Sequence, residues 1–304
     1  MTSIVKRFFY VLALITPVVL FAQPEEVQYN PNSLNPIPRY EQLYKLRVWR
    51  IMDLKEKQNK GFFASNGEIT RLLMDAVKSG EIAVVYKSDS LSESSVYTKD
   101  EFLANLVSQQ GQTFPAWDPT MTYYQTDIVS FNGKNYELQV NTNRGTNPSQ
   151  SPGGEWLVTT QGKGLTFLPR EIDVINIVED VIFDRRRSRL YYDIQAIEMQ
   201  AYDQNTSTYK PLGWFKYKDI EKVFRNNPAK AVWFNRQNTA ENKNFADAFL
   251  LRLFKGTIYK IENPDDYRIE DIYRNNNRPY YESVWAREWA EIMLMEKEHN
   301  LWEF

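Results

Sequence analysis

The chain has 304 residues, which is long enough to bury a hydrophobic core in one or two domains. Its 37 basic and 39 acidic residues leave a net charge of −2, and this balance argues against generic nucleic-acid binding, which normally shows a basic excess. There is no cysteine and a single histidine, His299, so the sequence offers neither a disulfide framework nor a Cys/His zinc set.

Residues 1–22 have the features of a secretory signal. Lys6 and Arg7 precede an apolar run from Phe8 to Phe21, and Ala22 provides a cleavage point. The apolar run is short for a membrane span, so we expect an exported protein; a retained signal anchor is the alternative. Residues 23–39 follow as an arm whose four prolines oppose helix formation, so we expect it to be disordered or to dock in extended form on a neighbour.

The segment after the arm predicts a helical start to the core. From Tyr40 to Leu54 the apolar residues lie mostly on one side of a helix. Ser65 to Glu68 has the form of a capping box for a second helix, and Gly80 suits the left-handed residue that ends it. Ile82 to Tyr86 is rich in β-branched and aromatic residues and predicts a strand. A second capping box, Thr98 to Glu101, predicts another short helix.

The chain shows a weak sign of internal duplication. Residues 48–89 begin with a Val-Trp pair and predict helix, helix and strand. Residues 232–265 again begin with Val-Trp and continue with an apolar helix, a Gly and a short strand. Such units also recur by chance in many folds, so the pattern leaves open whether the repeat is real. Both segments favour an α+β fold with a mixed helix-strand core.

Residues 112–161 change to a compact β pattern that is rich in Trp, Tyr, Thr, Asn, Gly and Pro. Asn132-Gly133 lies between two runs of strand-forming residues, which predicts a two-residue hairpin turn with Val129 opposite Tyr136. The mixed pattern of helices and strands resumes after this segment. The sequence therefore predicts a small all-β module inserted into a core made of residues 40–111 and 162–304.

This inserted segment resembles the small chitin-binding carbohydrate-binding modules of families five and twelve. The residues that carry the similarity are Ala116-Trp117, Tyr123, Tyr124, Asp127, Val129, Asn132-Gly133-Lys134, Tyr136, Asn147-Pro148 and Trp156. The resemblance implies exposed aromatic rings that stack on sugar faces, with Trp156 as the first candidate and Trp117, Tyr124 and Tyr136 as the others. The alternative is that Trp117, Tyr136 and Trp156 fill the core of a mini-domain that has no other.

Beyond the insert the sequence again predicts helices and strands in alternation. Residues 172–183 are apolar at helical spacing and predict a helix, whereas residues 190–202 alternate and predict a strand. Residues 211–215 lead into a short predicted helix at 219–224. Residues 244–254 predict a further helix, which the short strand TIYKI follows.

Four segments of the core together resemble the GldN/PorN family, the periplasmic ring component of the type IX secretion and gliding machinery. They are VWRIMDLKEKQN, IVEDVIFDRRRSRLYYDIQAI, PLGWFKY and VWFNRQNTAENKNFADAFLLRLFKGTIYKIEN. The resemblance implies a non-enzymatic structural protein of the periplasm. It also implies a ring of several copies, a GldK/PorK-like outer-membrane lipoprotein as partner, and contact with a GldM/PorM-like component of the motor. The insert departs from the family's minimal pattern, which puts in doubt only what that segment does.

Two groups of residues are candidates for a partner interface. The run that contains Arg185 and Arg186 provides guanidinium groups that can pair with carboxylates, although such runs are more often a solvated helix end. Trp233, Arg236 and Arg252 lie in a stretch rich in aromatic residues and arginine, the types that are enriched at buried interfaces. A helix over the apolar end of this stretch would need a second partner, either the rest of the fold or another chain.

The sequence offers no catalytic set and no cofactor site. One histidine cannot complete a Ser-His-Asp triad without a shaped loop around it, and the glycines are too scattered for a phosphate loop. Asp265-Asp266 and Glu270-Asp271 could imitate a glycosidase pair, but the separation of carboxylates cannot be read from a sequence. Two classes of function therefore compete: a structural protein that assembles, and an exported protein that binds glycan or peptidoglycan through the β module.

Overall fold

The computed structural model describes residues 29–108, 114–151, 154–159, 166–204 and 206–302. The predicted signal segment and the first residues of the proline-rich arm lie outside these ranges. Within them the chain forms sixteen strands and six helices, an α+β fold as predicted. None of the described helices is long and apolar enough to cross a membrane.

The strands of the described residues form one large sheet and four small ones. In chain order they are β1 (Gln42–Asp53), β2 (Phe63–Ala64), β3 (Gly67–Glu68), β4 (Val85–Tyr86), β5 (Val96–Tyr97), β6 (Thr122–Tyr124), β7 (Ile128–Phe131), β8 (Lys134–Leu138), β9 (Thr142–Arg144), β10 (Trp156–Thr159), β11 (Val174–Asp184), β12 (Arg189–Asp203), β13 (Thr208–Lys216), β14 (Val232–Trp233), β15 (Lys243–Asn244) and β16 (Thr257–Ile261). The helices are α1 (Ile69–Ser79), α2 (Lys99–Asn105), α3 (Tyr217–Asn226), α4 (Phe245–Leu250), α5 (Ile269–Asn275) and α6 (Tyr280–Trp302).

An antiparallel seven-stranded sheet, in the order β16-β1-β11-β12-β13-β4-β5, forms the centre of the core. Every residue of β11 is buried, because this interior strand is covered on both faces. The helix predicted at residues 172–183 is therefore wrong. A strand that is buried on both faces has a continuous apolar run, and periodicity alone does not distinguish such a run from a buried helix.

The start of the core also differs from its prediction. Residues 42–53 form β1, which pairs with β11 and β16, in place of the predicted helix. Ser65 caps no helix, because α1 begins only after Glu68, whose buried carboxylate accepts hydrogen bonds from the Asn66 amide and Arg71. Gly80 ends α1 in the left-handed conformation, at φ 84°, as predicted. The capping box at Thr98 and Glu101 is also confirmed.

The helices cover one face of the large sheet in two groups. The main hydrophobic cluster lies under α1, α3 and α4 and includes Ile175 and Ile177 of β11. A second cluster lies under α5 and α6 and includes Val181 and Phe183 of the same strand. Alternate residues of a strand share a face, so Glu179 lies on this face between the two clusters.

The second half of the chain is closer to its predictions. The strand over residues 190–202 and the helix over 219–224 are confirmed as β12 and α3, although residues 211–215 belong to strand β13. Helix α4 ends at Leu250, four residues earlier than predicted, with Phe245 and Phe249 in the main cluster. The described part of the proline-rich arm packs on the core, because Asn30 donates to the side chain of Gln195 at 2.7 Å and Ser33 and Ile37 are buried.

The two segments of the suggested duplication share a short 3-10 helix, a two-residue strand directly before an α-helix, and a short strand after it. The first Val-Trp pair lies inside the 12-residue strand β1, whereas the second forms the two-residue strand β14. The short strands that follow the helices, β4 and β16, lie towards opposite edges of the large sheet. The two segments therefore begin with different elements.

Within the described residues, β6 to β10 pair only with one another. The β7–β8 hairpin has the predicted register, with Val129 opposite Tyr136 and positive φ at Asn132 and Gly133. These strands enclose a separate cluster of Tyr123, Val129, Tyr136, Leu138 and Trp156. A bridge between Val107 and Thr166 joins the chain on the two sides of this β module.

Candidate interaction surface

The C-terminal helix α6 packs on the sheet through one narrow face. Ser283, Ala290 and Leu294 are buried, and Leu294 contributes to the second cluster with Ala290. The partly buried Ala286 and Leu301 pack against the same cluster. At 100° per residue these five side chains fall on one side of the helix, which fixes the side that faces solvent.

The opposite face of α6 is apolar and exposed, and we call it the outer face. Trp285 and Trp289 are 63% and 59% exposed, and Met295 and Trp302 are exposed to a similar extent. Tyr281, Val284 and Ile292 complete the outer face. Single exposed apolar residues are normal, but a contiguous stripe of this length on one helix is typical of an interaction site.

A buried ionic network holds α6 against the sheet. Arg50 of β1 pairs with Glu179 of β11 and with Glu291 of α6, and its guanidinium also donates to the Gly256 carbonyl at 3.2 Å. Arg252 binds the other oxygen of Glu179 at 2.8 Å, with its guanidinium 4.0 Å from the centroid of the Tyr192 ring. The network therefore links the sheet, α6 and the loop after α4 between the two clusters.

The two arginines keep Glu179 ionised despite its burial. Burial by itself would raise the pKa of this carboxyl, but the charges of Arg252 and Arg50 and the hydrogen bonds from both guanidinium groups outweigh it, and the pKa is lowered. Glu179 is 0% exposed, so its charge depends on these partners. Removal of either member would leave an uncompensated charge in the core.

Two residues that were predicted for the partner interface serve the fold instead. Arg252 is engaged by Glu179, so a reversed charge at this position would place two carboxylates together inside the protein. Trp233 packs edge-on against Phe62 at 6.5 Å between ring centroids and lies directly over Gly61. Neither side chain is available as a surface anchor, because both are used within the chain.

The other predicted interface residues are at the surface. Arg185 and Arg186 lie in the tight turn between β11 and β12, a hairpin and not a helix end. Asp184 shapes this turn, because its carboxylate accepts bonds from the amides of Arg186 and Arg187 at 2.8 and 3.2 Å. Arg236 is exposed elsewhere, in the loop after β14. The structure therefore does not gather the predicted interface residues into one patch.

The candidate sugar-binding residues of the β module are mostly its core. Trp156 is 4% exposed and Tyr136 is 7% exposed, and Trp117 packs edge-on against Phe131. At this exposure Trp156 presents almost none of its ring to solvent. A module this small needs these aromatics for its own core. Of the four candidates only Tyr124, at 62% exposed, has a free ring.

Another buried carboxylate, Glu198 on the opposite face of the sheet, forms no ion pair with any residue that the structure describes. Its Oε2 accepts hydrogen bonds from the amides of Asn176 and Gln200, each at 2.7 Å. Burial raises the pKa of Glu198 to about 7, and the two amide bonds oppose this shift only in part. Glu198 is therefore partly protonated near neutral pH.

The described residues contain no cluster of His, Cys, Asp and Glu that could hold a metal ion. A cleft of about 560 Å³ lies between β12 and the helices α3 and α4. Three of its charged side chains form ion pairs, because Arg225 binds Glu221 and Asp247, each at 2.8 Å, and Arg252 binds Glu179. Asp193 also lines the cleft and accepts a hydrogen bond from Gln195 at 2.6 Å. The acidic pair Glu270-Asp271 is likewise engaged by Arg274. These ion pairs connect neighbouring elements of the fold.

Sequence reasoning did not identify the outer face of α6. The signal was present, because Tyr281, Trp285, Ile292 and Met295 recur at spacings of three, four and seven residues. A second apolar stripe, Ser283-Ala290-Leu294 with its neighbours, lies on the other side of the same helix. A helix that is apolar on two sides needs two partners, and the structure provides only one of them.

Comparison with known proteins identifies a family for nearly the whole chain. Residues 37–303 match the family described as gliding motility associated protein GldN. The match spans the large sheet, the β module and α6. A search of curated proteins gives no match.

Proposed function

The chain belongs to the GldN family of gliding motility associated proteins, and from this premise we propose that it is a non-enzymatic structural component of the type IX secretion and gliding machinery. In this role several copies form a periplasmic ring. A GldK/PorK-like lipoprotein attaches the ring to the outer membrane, and a GldM/PorM-like component contacts it from the motor. The predicted secretory signal is consistent with this location.

The observation that carries this proposal is the outer face of α6. Aromatic and Met side chains are enriched at protein interfaces, and this face displays three tryptophans, Trp285, Trp289 and Trp302, on a rigid helix. The ionic network through Arg50 and Glu291 fixes the helix in place before any partner binds. A preformed, ordered surface costs little entropy on binding, which suits a component of a large assembly.

The alternative function, glycan binding through the β module, has weaker support. Burial of Trp156 and Tyr136 leaves Tyr124 as the one mostly exposed candidate ring, while Trp117 is half-buried against Phe131. A single tyrosine gives much less stacking area than the several exposed rings implied by the resemblance. We therefore rank a structural role first and keep glycan binding as the second candidate.

The test is a size measurement of the mature protein, alone and with a co-expressed outer-membrane lipoprotein of the same system. We expect a stable complex of many copies, visible by negative-stain imaging and light scattering. Trp285→Ser with Trp289→Ser should prevent its formation and leave the circular dichroism spectrum unchanged. Tyr40→Ser with Tyr209→Ser removes two exposed rings outside α6 and serves as the matched control.

Two results would contradict the proposal. One is a protein that stays monomeric with every candidate partner and is retained on insoluble chitin or peptidoglycan, which would favour the glycan-binding function. The other is normal assembly by the Trp285→Ser, Trp289→Ser variant, which would show that the outer face has no part in it.

A further inference from the structure

The outer face of α6 carries negative charge among its apolar residues. Glu288 and Glu296 are exposed on it, and neither forms an ion pair within the described part of the chain. Arg287 and Lys297 lie off this face: Arg287 binds Glu270 at 2.9 Å, and the Lys297 ammonium lies 5.3 Å from the Tyr44 ring centroid. His299 lies at the C-terminal end of the outer face. The outer face is therefore acidic and aromatic, and a complementary surface must be basic.

The β11–β12 turn provides such a surface on the same chain. Arg185, Arg186, Arg187 and Arg189 are all exposed within five consecutive positions. Arg187 is held by Asp184 at 2.7 Å, but Arg186 makes only a 3.7 Å contact with Glu41 and its side chain is 73% exposed. No ion pair of Arg185 occurs among the described residues. The guanidinium groups of Arg185 and, apart from this one long contact, of Arg186 can thus bind another surface.

The two surfaces are complementary in chemistry and size. Arginine pairs with carboxylates and also stacks on tryptophan rings, and the outer face offers both kinds of group side by side. Glu288 and Glu296 are eight residues apart, which is about 12 Å along the helix axis. Two long arginine side chains at the tip of a hairpin can span this distance. Ile292 and Trp289 lie between the two carboxylates, where the turn would cover them.

We propose that the outer face of α6 binds the β11–β12 turn of a second copy of this chain. This inference rests on the proposed structural function and names the occupant of that surface. The two patches are different, so the contact is heterologous, and each copy retains one free outer face and one free turn. Such a contact propagates from copy to copy, and it closes into a ring if the rotation between neighbours allows.

Charge exchange tests the contact directly. The face variant carries Glu288→Arg and Glu296→Arg, and the turn variant carries Arg185→Glu and Arg186→Glu. In each variant the outer face and the turn carry charge of the same sign. The association constant should therefore fall on the order of 100-fold, because like charges across an interface cost several kcal/mol. The measurement is sedimentation velocity of the mature protein over a range of concentrations.

The same variants should recover association when they are combined. In an equimolar mixture, the acidic turn of one variant meets the basic face of the other, and the unchanged turn meets the unchanged face. A variant that carries all four substitutions on one chain should also self-associate, because the charges of its outer face and of its turn are exchanged. Recovery in both cases requires that the contact joins two copies of this chain.

Charge-matched controls separate this contact from a general effect of net charge. Lys57→Glu with Lys60→Glu matches the turn variant, and Glu56→Arg with Glu93→Arg matches the face variant; all four residues are exposed. These controls should associate as the wild type does. Circular dichroism of every variant checks that the fold is kept.

The outcomes distinguish this inference from the proposed function. If the wild type is monomeric alone, or if neither the mixture nor the exchanged chain recovers association, the self-contact is wrong. If in that case the face variant still fails to assemble with a lipoprotein partner, the structural function stands and the outer face binds that other protein. Normal association of both separate variants would also overturn the inference.

Discussion

Substitution of Glu179 by Gln tests the ionic network that holds α6. Loss of one partner from a buried ion pair typically costs about 3–5 kcal/mol, since the remaining charge is left uncompensated. Arg50 would keep Glu291, and the side chain of Arg252 is 30% exposed, so water can solvate part of the remaining charge. We therefore expect a loss of about 3 kcal/mol. For a domain of this size, that loss lowers the melting temperature by roughly 6–12 °C.

The effect of Glu179→Gln should also depend on pH in a defined direction. The pKa of Glu179 is lowered in the folded protein, so its ionised form stabilises the fold above the pKa of an unfolded Glu, about 4.3. This stabilisation is lost as the pH falls through the lowered pKa. The difference in the free energy of unfolding between wild type and variant should therefore be constant above about pH 5 and shrink below about pH 4.

The assay is urea denaturation followed by circular dichroism at a series of pH values. Glu296→Gln removes an exposed carboxylate from the outer face of α6 and should leave the midpoint almost unchanged. An unchanged midpoint for Glu179→Gln at pH 7 would refute the reasoning, because the pair would then contribute no net stability. A difference that persists undiminished at acid pH would show that packing, and not charge, is responsible.

Three further predictions concern other parts of the fold. Glu198→Gln should raise the free energy of unfolding by up to about 3 kcal/mol above pH 7, because the pKa of Glu198 is raised to about 7 and each pKa unit is worth about 1.4 kcal/mol. Denaturation below pH 4.5 should show no gain in stability, and a loss of stability at pH 8 would contradict the assignment. Gly61→Ala should cost about 1–3 kcal/mol in thermal melts, since its Cβ would lie 2.7 Å from Cε2 of Trp233, whereas Gly67→Ala should be nearly neutral. Deletion of residues 112–161 with a short Gly/Ser linker should leave a cooperative transition, because Val107 and Thr166 already pair; its loss would show that the module is integral to the core.

Local features of the fold could be predicted from the sequence, whereas the central sheet could not. Thr98 caps a helix, Gly80 ends one and Asn132-Gly133 turns a hairpin because each of these outcomes depends on neighbours within a few residues. β1 and β11 were mistaken for helices because their identity depends on distant partners. Arg50 and Glu179 make this clear, since only the pairing of β1 with β11 explains two opposite charges inside apolar runs.

The burial of several candidate site residues could not be predicted for a related reason. Aromatic residues and arginines are enriched both in interfaces and in small cores, so residue type alone could not decide between these two locations for Trp156, Trp233 or Arg252. The structure assigns all three to contacts within the chain. To identify an interface, the exposed fraction of a side chain is therefore more informative than its aromatic character.

The outer face of α6 is exposed as well as aromatic. Its inner face already has a partner, since Ala290 and Leu294 are buried against the sheet, and Glu291 is anchored to Arg50. The helix would stay in place if every residue of the outer face were polar, because no contact within the described chain requires Trp285 or Met295 to be apolar. Exposed tryptophan lowers solubility and favours aggregation, a cost that folding alone does not explain. A second partner for this face explains it.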